Sequence, residues 1–143
     1  MRPKSIVMFE RLFLASMAIS LVVAVIGYDQ IERVAATDPA LRQFGLGSGL
    51  LIGVIAASYA IYLLLWYLIA HRAVNVAKWV LVVFVAFGVA SSVPAILKAQ
   101  MGYMTMLSLA AYALEIAALV YLFQADAKAW FRGDPSSDPR AFD

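Results

Sequence analysis

Long apolar runs dominate the chain, and charged residues gather in the stretches between them and at the two ends. Residues 44–70 pass without a single charge before His71 and Arg72 close the run. At about 1.5 Å per residue such a helix is roughly 40 Å long, enough to cross a ~30 Å hydrocarbon core with tilt. Three further runs share this character. Together they predict spanning helices at about 6–28, 44–70, 77–98 and 103–124. None carries the polar half-face that a helix in a soluble bundle requires. The expected fold is all-α, an integral membrane four-helix transmembrane bundle over residues 1–128, with residues 129–143 as a cytoplasmic tail.

The connectors refine this picture. Arg2 and Lys4 before an apolar run resemble the start of a secretory signal peptide. The run is too long, however, and Glu10 and Arg11 interrupt it with no small-residue cleavage site after it, so a retained first span is expected. Residues 29–43 mix both charge signs and read as a solvated loop, with a short interfacial helix starting at Thr37 or Asp38 and Pro39 in its first turn. The turn between His71 and Lys78 is short, which makes the second and third spans antiparallel neighbours. Pro94 follows Ser91 and Ser92 inside the third span and predicts a kink near residues 90–94. In the tail, Trp130 and Phe131 are placed at the lipid interface beside Lys128 and Arg132, and the Pro- and Asp-containing remainder reads as disordered.

Composition agrees with a membrane protein. Of 143 residues, 64% are hydrophobic and 14% charged, and the mean hydropathy is +0.86. A net charge of +2 could suggest nucleic acid, but the Lys and Arg residues are scattered and no nucleic-acid patch forms. Their distribution instead sets topology. Arg2, Lys4, Arg11, Arg72, Lys78, Lys128, Arg132 and Arg140 fall on one side; Arg33, Arg42 and Lys98 fall on the other. The positive-inside rule then places both termini in the cytoplasm of a multi-pass inner-membrane protein. Tryptophans and tyrosines near the run ends form the matching interfacial belts. Without cysteine there are no disulfides, iron–sulfur clusters or thiol chemistry, and a lone histidine leaves no His-rich metal site. No metal or cofactor is expected.

Candidate chemistry centres on Glu115, near the middle of the fourth run, where an ionised carboxylate costs roughly 2.5–3.5 kcal/mol. Thr105, Ser108, Tyr112 and Glu115 are spaced three, four and three, which puts them on one helical face directed into the bundle. One reading is a proton or cation relay. The other is a structural carboxylate held by tyrosine or serine, or paired with Arg11 from the first helix. Glu10 is expected to meet Arg72 or Lys78, and His71 to serve as an interfacial turn residue. Gly45, Gly49, Gly53 and Ala57 form a smooth strip on the second span, for packing within the chain or, alternatively, for a homo-oligomer or a larger membrane complex. Ser16, Ser20, Ala24 and Gly27 give the first span a similar small face. Tyr59, Tyr62 and Trp66 read as bundle core or lipid contact. There is no nucleophile–histidine–acid arrangement, no phosphate-cradling loop and no metal-ligand spacing, so no enzymatic activity is expected.

The stretches RPKSIVMFERLFL, WYLIAHRAVNVAKWVLVV and AKAWFR resemble a family of small bacterial inner-membrane proteins of similar length with four spans. That resemblance implies the architecture and no activity. By architecture the chain is also similar to small multidrug exporters, four helices with a membrane carboxylate. Their glutamate lies deep in the first helix, whereas here that helix carries Glu10 near the interface and the deep carboxylate is Glu115. The likeness is one of fold and not of site. The expected role is a non-catalytic structural or accessory protein in the lipid bilayer, acting through helix packing. The alternative is an oligomeric small transporter, or a proton or cation pathway, using Glu115.

Overall fold

The computed structural model describes residues 2–37, 48–98 and 102–133. Among them every regular element is helical: α1 (Lys4–Ile26), α2 (Tyr28–Thr37), α3 (Ser48–Ala70), α4 (Asn75–Lys98), α5 (Tyr103–Tyr121) and α6 (Ala125–Arg132). Four stretches are long and apolar enough to cross a membrane, Lys4–Ile26, Ile52–Ala70, Asn75–Val93 and Tyr103–Tyr121, with mean hydropathy between 1.6 and 2.1. Helix is the natural outcome for such runs, because lipid offers the backbone no hydrogen-bond partners and only internal pairing satisfies it. The ends obey local chemistry. Pro3, which has no N–H to strand, precedes α1, and its carbonyl accepts from Ile6 and Val7 at 3.1 and 3.2 Å. Gly133, at φ 65°, takes the left-handed conformation that closes α6.

The helices associate as two pairs. α1 and α5 make the most extensive contact, while α3 and α4 form a hairpin across the 71–74 turn. Small side chains allow the first pair to close: Ser16 of α1 and Ala111 and Ala118 of α5 are buried. The pairs meet at the end of the bundle that carries the hairpin turn. There Ile6, Phe9 and Phe13 of α1 pack with Leu65, Ile69 and Ala70 of α3 and with Ala77, Leu81 and Val85 of α4. Ala118, Leu122 and Ala127 complete this core. An aromatic ladder crosses it, from Phe9 to Phe13 (5.3 Å between ring centres), to Tyr62 (6.1 Å) and edge-on to Phe84 (6.2 Å). Toward the opposite end none of the residues whose burial is described beyond Ser16 of α1, Leu65 of α3, Val85 of α4 or Ala111 of α5 is buried, and large apolar side chains such as Val25, Phe87 and Tyr103 face outward. In a bilayer, lipid tails cover those surfaces.

α6 seals the packed end. Asp126 accepts from the Ser5 backbone N–H at 3.1 Å and from the Ser5 hydroxyl at 2.5 Å, so it caps the first turn of α1 from across the bundle. Trp130 donates its indole N–H to the Ile69 carbonyl at 3.3 Å, satisfying a last-turn acceptor of α3.

Some of these expectations change and others stand. Tyr28–Thr37, expected as solvated loop, forms the helix α2, which continues directly from Gly27, whose carbonyl receives the Gln30 N–H; the short helix expected to start at Thr37 or Asp38 lies outside the described residues. α4 runs to Lys98 with Pro94 inside it, in keeping with the expected third span. Trp130 and Phe131 belong to α6 and pack against the core; residues 134–143 lie outside the described residues. No described residue packs on Gly49 or Gly53 of the α3 glycine strip. A Cβ at Gly49 or Gly53 would meet nothing within 4 Å, and Ala57 is exposed, because α1 and α5 have closed on each other and left that face of α3 turned outward. Gly45 lies outside the described residues.

Candidate functional site

Where the two helix pairs diverge, all four spanning helices contribute to a cavity of about 210 Å³. α1 supplies Ser16, Met17 and Ser20; α3 supplies Ser58, Tyr59 and Tyr62; α4 supplies Val85 and Gly88; α5 supplies Tyr112 and Glu115. Glu115 is half-buried and lines this space, within electrostatic reach of Tyr59 and Tyr62. A second cavity of about 230 Å³, lined by Ser20, Val23, Ala24, Ser108 and Tyr112, shares Ser20 and Tyr112 with the first. The polar stripe foreseen on α5 is therefore divided. Tyr112 and Glu115 meet at the first cavity, Ser108 joins Tyr112 at the second, and Thr105 lines neither.

Hydrogen bonding gives the main cavity its sign. Ser16 donates to the Phe13 carbonyl at 2.7 Å, and Ser58 donates to the Val54 carbonyl at 2.8 Å. Each hydroxyl thus spends its proton on its own helix and has only lone pairs left to offer. Ser92 likewise donates to the Gly88 carbonyl at 2.7 Å, so the hydrogen bond between Ser92 and Tyr112 must be donated by the tyrosine. Tyr112 is thereby fixed between α4 and α5. Glu115 adds two acceptor oxygens. The resulting space combines these acceptors with the hydroxyls of Ser20, Tyr59 and Tyr62, and its carboxylate has no hydrogen bond or ion pair among the described residues. Such a lining suits a proton or a small cation, held by the carboxylate charge and the neighbouring hydroxyl oxygens.

Arg11 does not neutralise this carboxylate. It is exposed on the outside of α1 and forms no ion pair with Glu115, because its position on the helix points it away from the face that meets α5. Nor does Glu10 meet Arg72 or Lys78. It pairs with Arg2 at 2.7 Å, a partner two helical turns away on its own segment. His71 sits in the hairpin turn, stacked on Tyr67 at 5.2 Å and edge-on to Trp66 at 5.4 Å. Among the described residues no three potential metal ligands converge.

Sequence reasoning found Glu115 and Tyr112 but placed Ser16 and Ser20 in a packing face and Tyr59 and Tyr62 in an aromatic stripe. Gly88 and Ser58 carried no signal of their own. Each is recognisable only once the helices are arranged around Glu115. The chain matches no protein-family profile, no curated protein and no solved structure in comparisons with each.

Proposed function

We propose that this chain is a small bacterial inner-membrane protein, with both termini cytoplasmic, that takes up a proton or small cation at Glu115 and serves as a carrier or pathway for it. The observation that carries this reading is the polar cavity around Glu115, a carboxylate in an apolar helix long enough to span a membrane, with no hydrogen bond or ion pair among the described residues. A purely structural glutamate would be expected to have a donor in place, and Arg11, the cation that could have supplied one, faces away. The reaction class is binding and passage, without covalent chemistry. The one described cavity that reaches Glu115 offers a single site per copy, and the proposed working unit is an oligomer. The eight-to-three division of Lys and Arg supports the orientation.

Reconstituting wild type and Glu115→Gln into liposomes tests this directly. Flux of protons, alkali cations and small ammonium ions is followed beside thermal stability. The expected result is flux in wild type that is lost in Glu115→Gln, with the melting temperature unchanged or raised. Wild-type liposomes as tight as empty ones across that panel would sink the proposal.

A second reading rests on a separate observation, the outward-facing Gly49, Gly53 and Ala57 of α3. It makes the protein a non-catalytic accessory subunit that docks through this strip on a second copy or on a larger membrane complex. Inactive liposomes combined with a stable oligomer or co-purifying partner would favour it.

A further inference from the structure

Lys78 lies in the first turn of α4 and is only 6% exposed. Its ammonium group sits 4.9 Å from the ring centres of Phe123 and Phe131 and 5.5 Å from that of Trp79. Ring faces attract a cation but accept none of its three N–H bonds in the way an oxygen does. Lys128 of α6 adds a second positive charge that repels it. No carboxylate of the described residues answers either charge. Glu10 is taken by Arg2, Asp126 by Ser5, and Glu115 faces the cavity inside the bundle. Asp29 and Glu32 belong to α2, beyond the far end of α1. The Lys78 stem is packed away while its ammonium lies among rings beside a like charge, with no carboxylate partner among the described residues. The pair thus offers two positive charges to one anion from outside the chain.

The surroundings identify the source of that anion. Trp79 is 54% exposed and Phe123 37% exposed, and their rings meet edge-to-face at 5.6 Å on the outer surface beside Lys78. Val76, one turn away, is also exposed. A soluble anion gains nothing from such an apolar rim, whereas a lipid rests its glycerol and acyl chains there while its phosphate reaches the lysines. The geometry points to an anionic-phospholipid site at the junction of α4, α5 and α6, with Lys78 and Lys128 binding the phosphate and Trp79 and Phe123 flanking the chains.

The test compares the melting temperature of the full chain in phosphate-free detergent buffer with added phosphatidylglycerol or phosphatidylcholine. Phosphatidylglycerol is expected to raise it by about 3–6 °C above phosphatidylcholine. Lys78→Met and Lys128→Gln should each lose at least half of that rise. Lys78→Met should melt no lower than wild type in phosphatidylcholine, because a methionine suits the aromatic surroundings without an anion. Arg11→Gln removes an exposed positive charge elsewhere and should keep the full rise. Equal melting temperatures of wild type in the two lipids would overturn the proposal, as would a full rise in Lys78→Met. If that variant fails to fold, exposed Lys128 carries the test alone, and a full rise in Lys128→Gln overturns the site. A rise of the same size from inorganic phosphate alone overturns the assignment to lipid.

Discussion

Ala73 adopts φ 53° between α3 and α4, the one non-glycine residue with positive φ among those described. An L-residue there sets its Cβ against the neighbouring carbonyl at a cost of roughly 1–2 kcal/mol. Ala73→Gly is therefore expected to stabilise the folded bundle by about 1 kcal/mol, read as a later midpoint in a denaturant titration. Asp126 offers a test against pH. Burial acts to raise its carboxyl, but the Ser5 hydroxyl and the amides of Ser5, Ala127 and Asp126 itself oppose this, and the net effect holds it below the usual carboxylate range. The folded state then binds that proton more weakly than the unfolded one. Its stabilising effect is fully present above the ordinary value near about 3.9 and is lost as pH falls through the lowered folded value. Ser5→Ala should cost about 1–2 kcal/mol at neutral pH, and Asp126→Asn should close much of its gap to wild type when melting is repeated in strong acid.

Helix α1 and helix α3 both carry small residues at helical spacing, yet among the described residues Ser16 of α1 is buried while nothing packs on Gly49 or Gly53 of α3. The spacing says that another backbone could come close. It does not say which. The difference predicts opposite outcomes for similar substitutions. Ala118→Leu inserts bulk into the fully buried α1–α5 contact and should destabilise by about 1–3 kcal/mol. Gly53→Leu enters open space and should leave the melting temperature of the isolated chain unchanged. If α3 mediates assembly, Gly53→Leu will lower the oligomeric mass measured in detergent by light scattering; an unchanged mass removes that face from the interface.

At the scale of the whole molecule, the core lies toward the end bearing the hairpin turn, and α6 closes that end by tying α1 to the last turn of α3. Toward the other end the helices present apolar surface outward, and the cavity of Glu115 begins where the core stops. The packed end is also the one rich in Lys and Arg. A fluorescent protein fused after residue 143 should therefore be bright in the cytoplasm, while an alkaline phosphatase fused there should stay inactive. Active phosphatase would invert the topology and place the closed end outside.

The run lengths and their lack of charge determined the four helices and the membrane as solvent, since an apolar stretch of that length has no other way to satisfy its backbone in lipid. The short hairpin and the depth of Glu115 followed from the same linear pattern. Partner choice did not. Whether Arg11 or empty space faces Glu115, and whether Gly53 meets a helix or the lipid, depends on how each helix is rotated about its axis. With apolar residues on nearly every face, the chain carries little information about that rotation. Tertiary packing decided it. The closure of α1 on α5 collected Ser16, Ser20, Tyr59, Tyr62 and Tyr112 around one carboxylate, and the docking of α6 brought Lys128 up to Lys78.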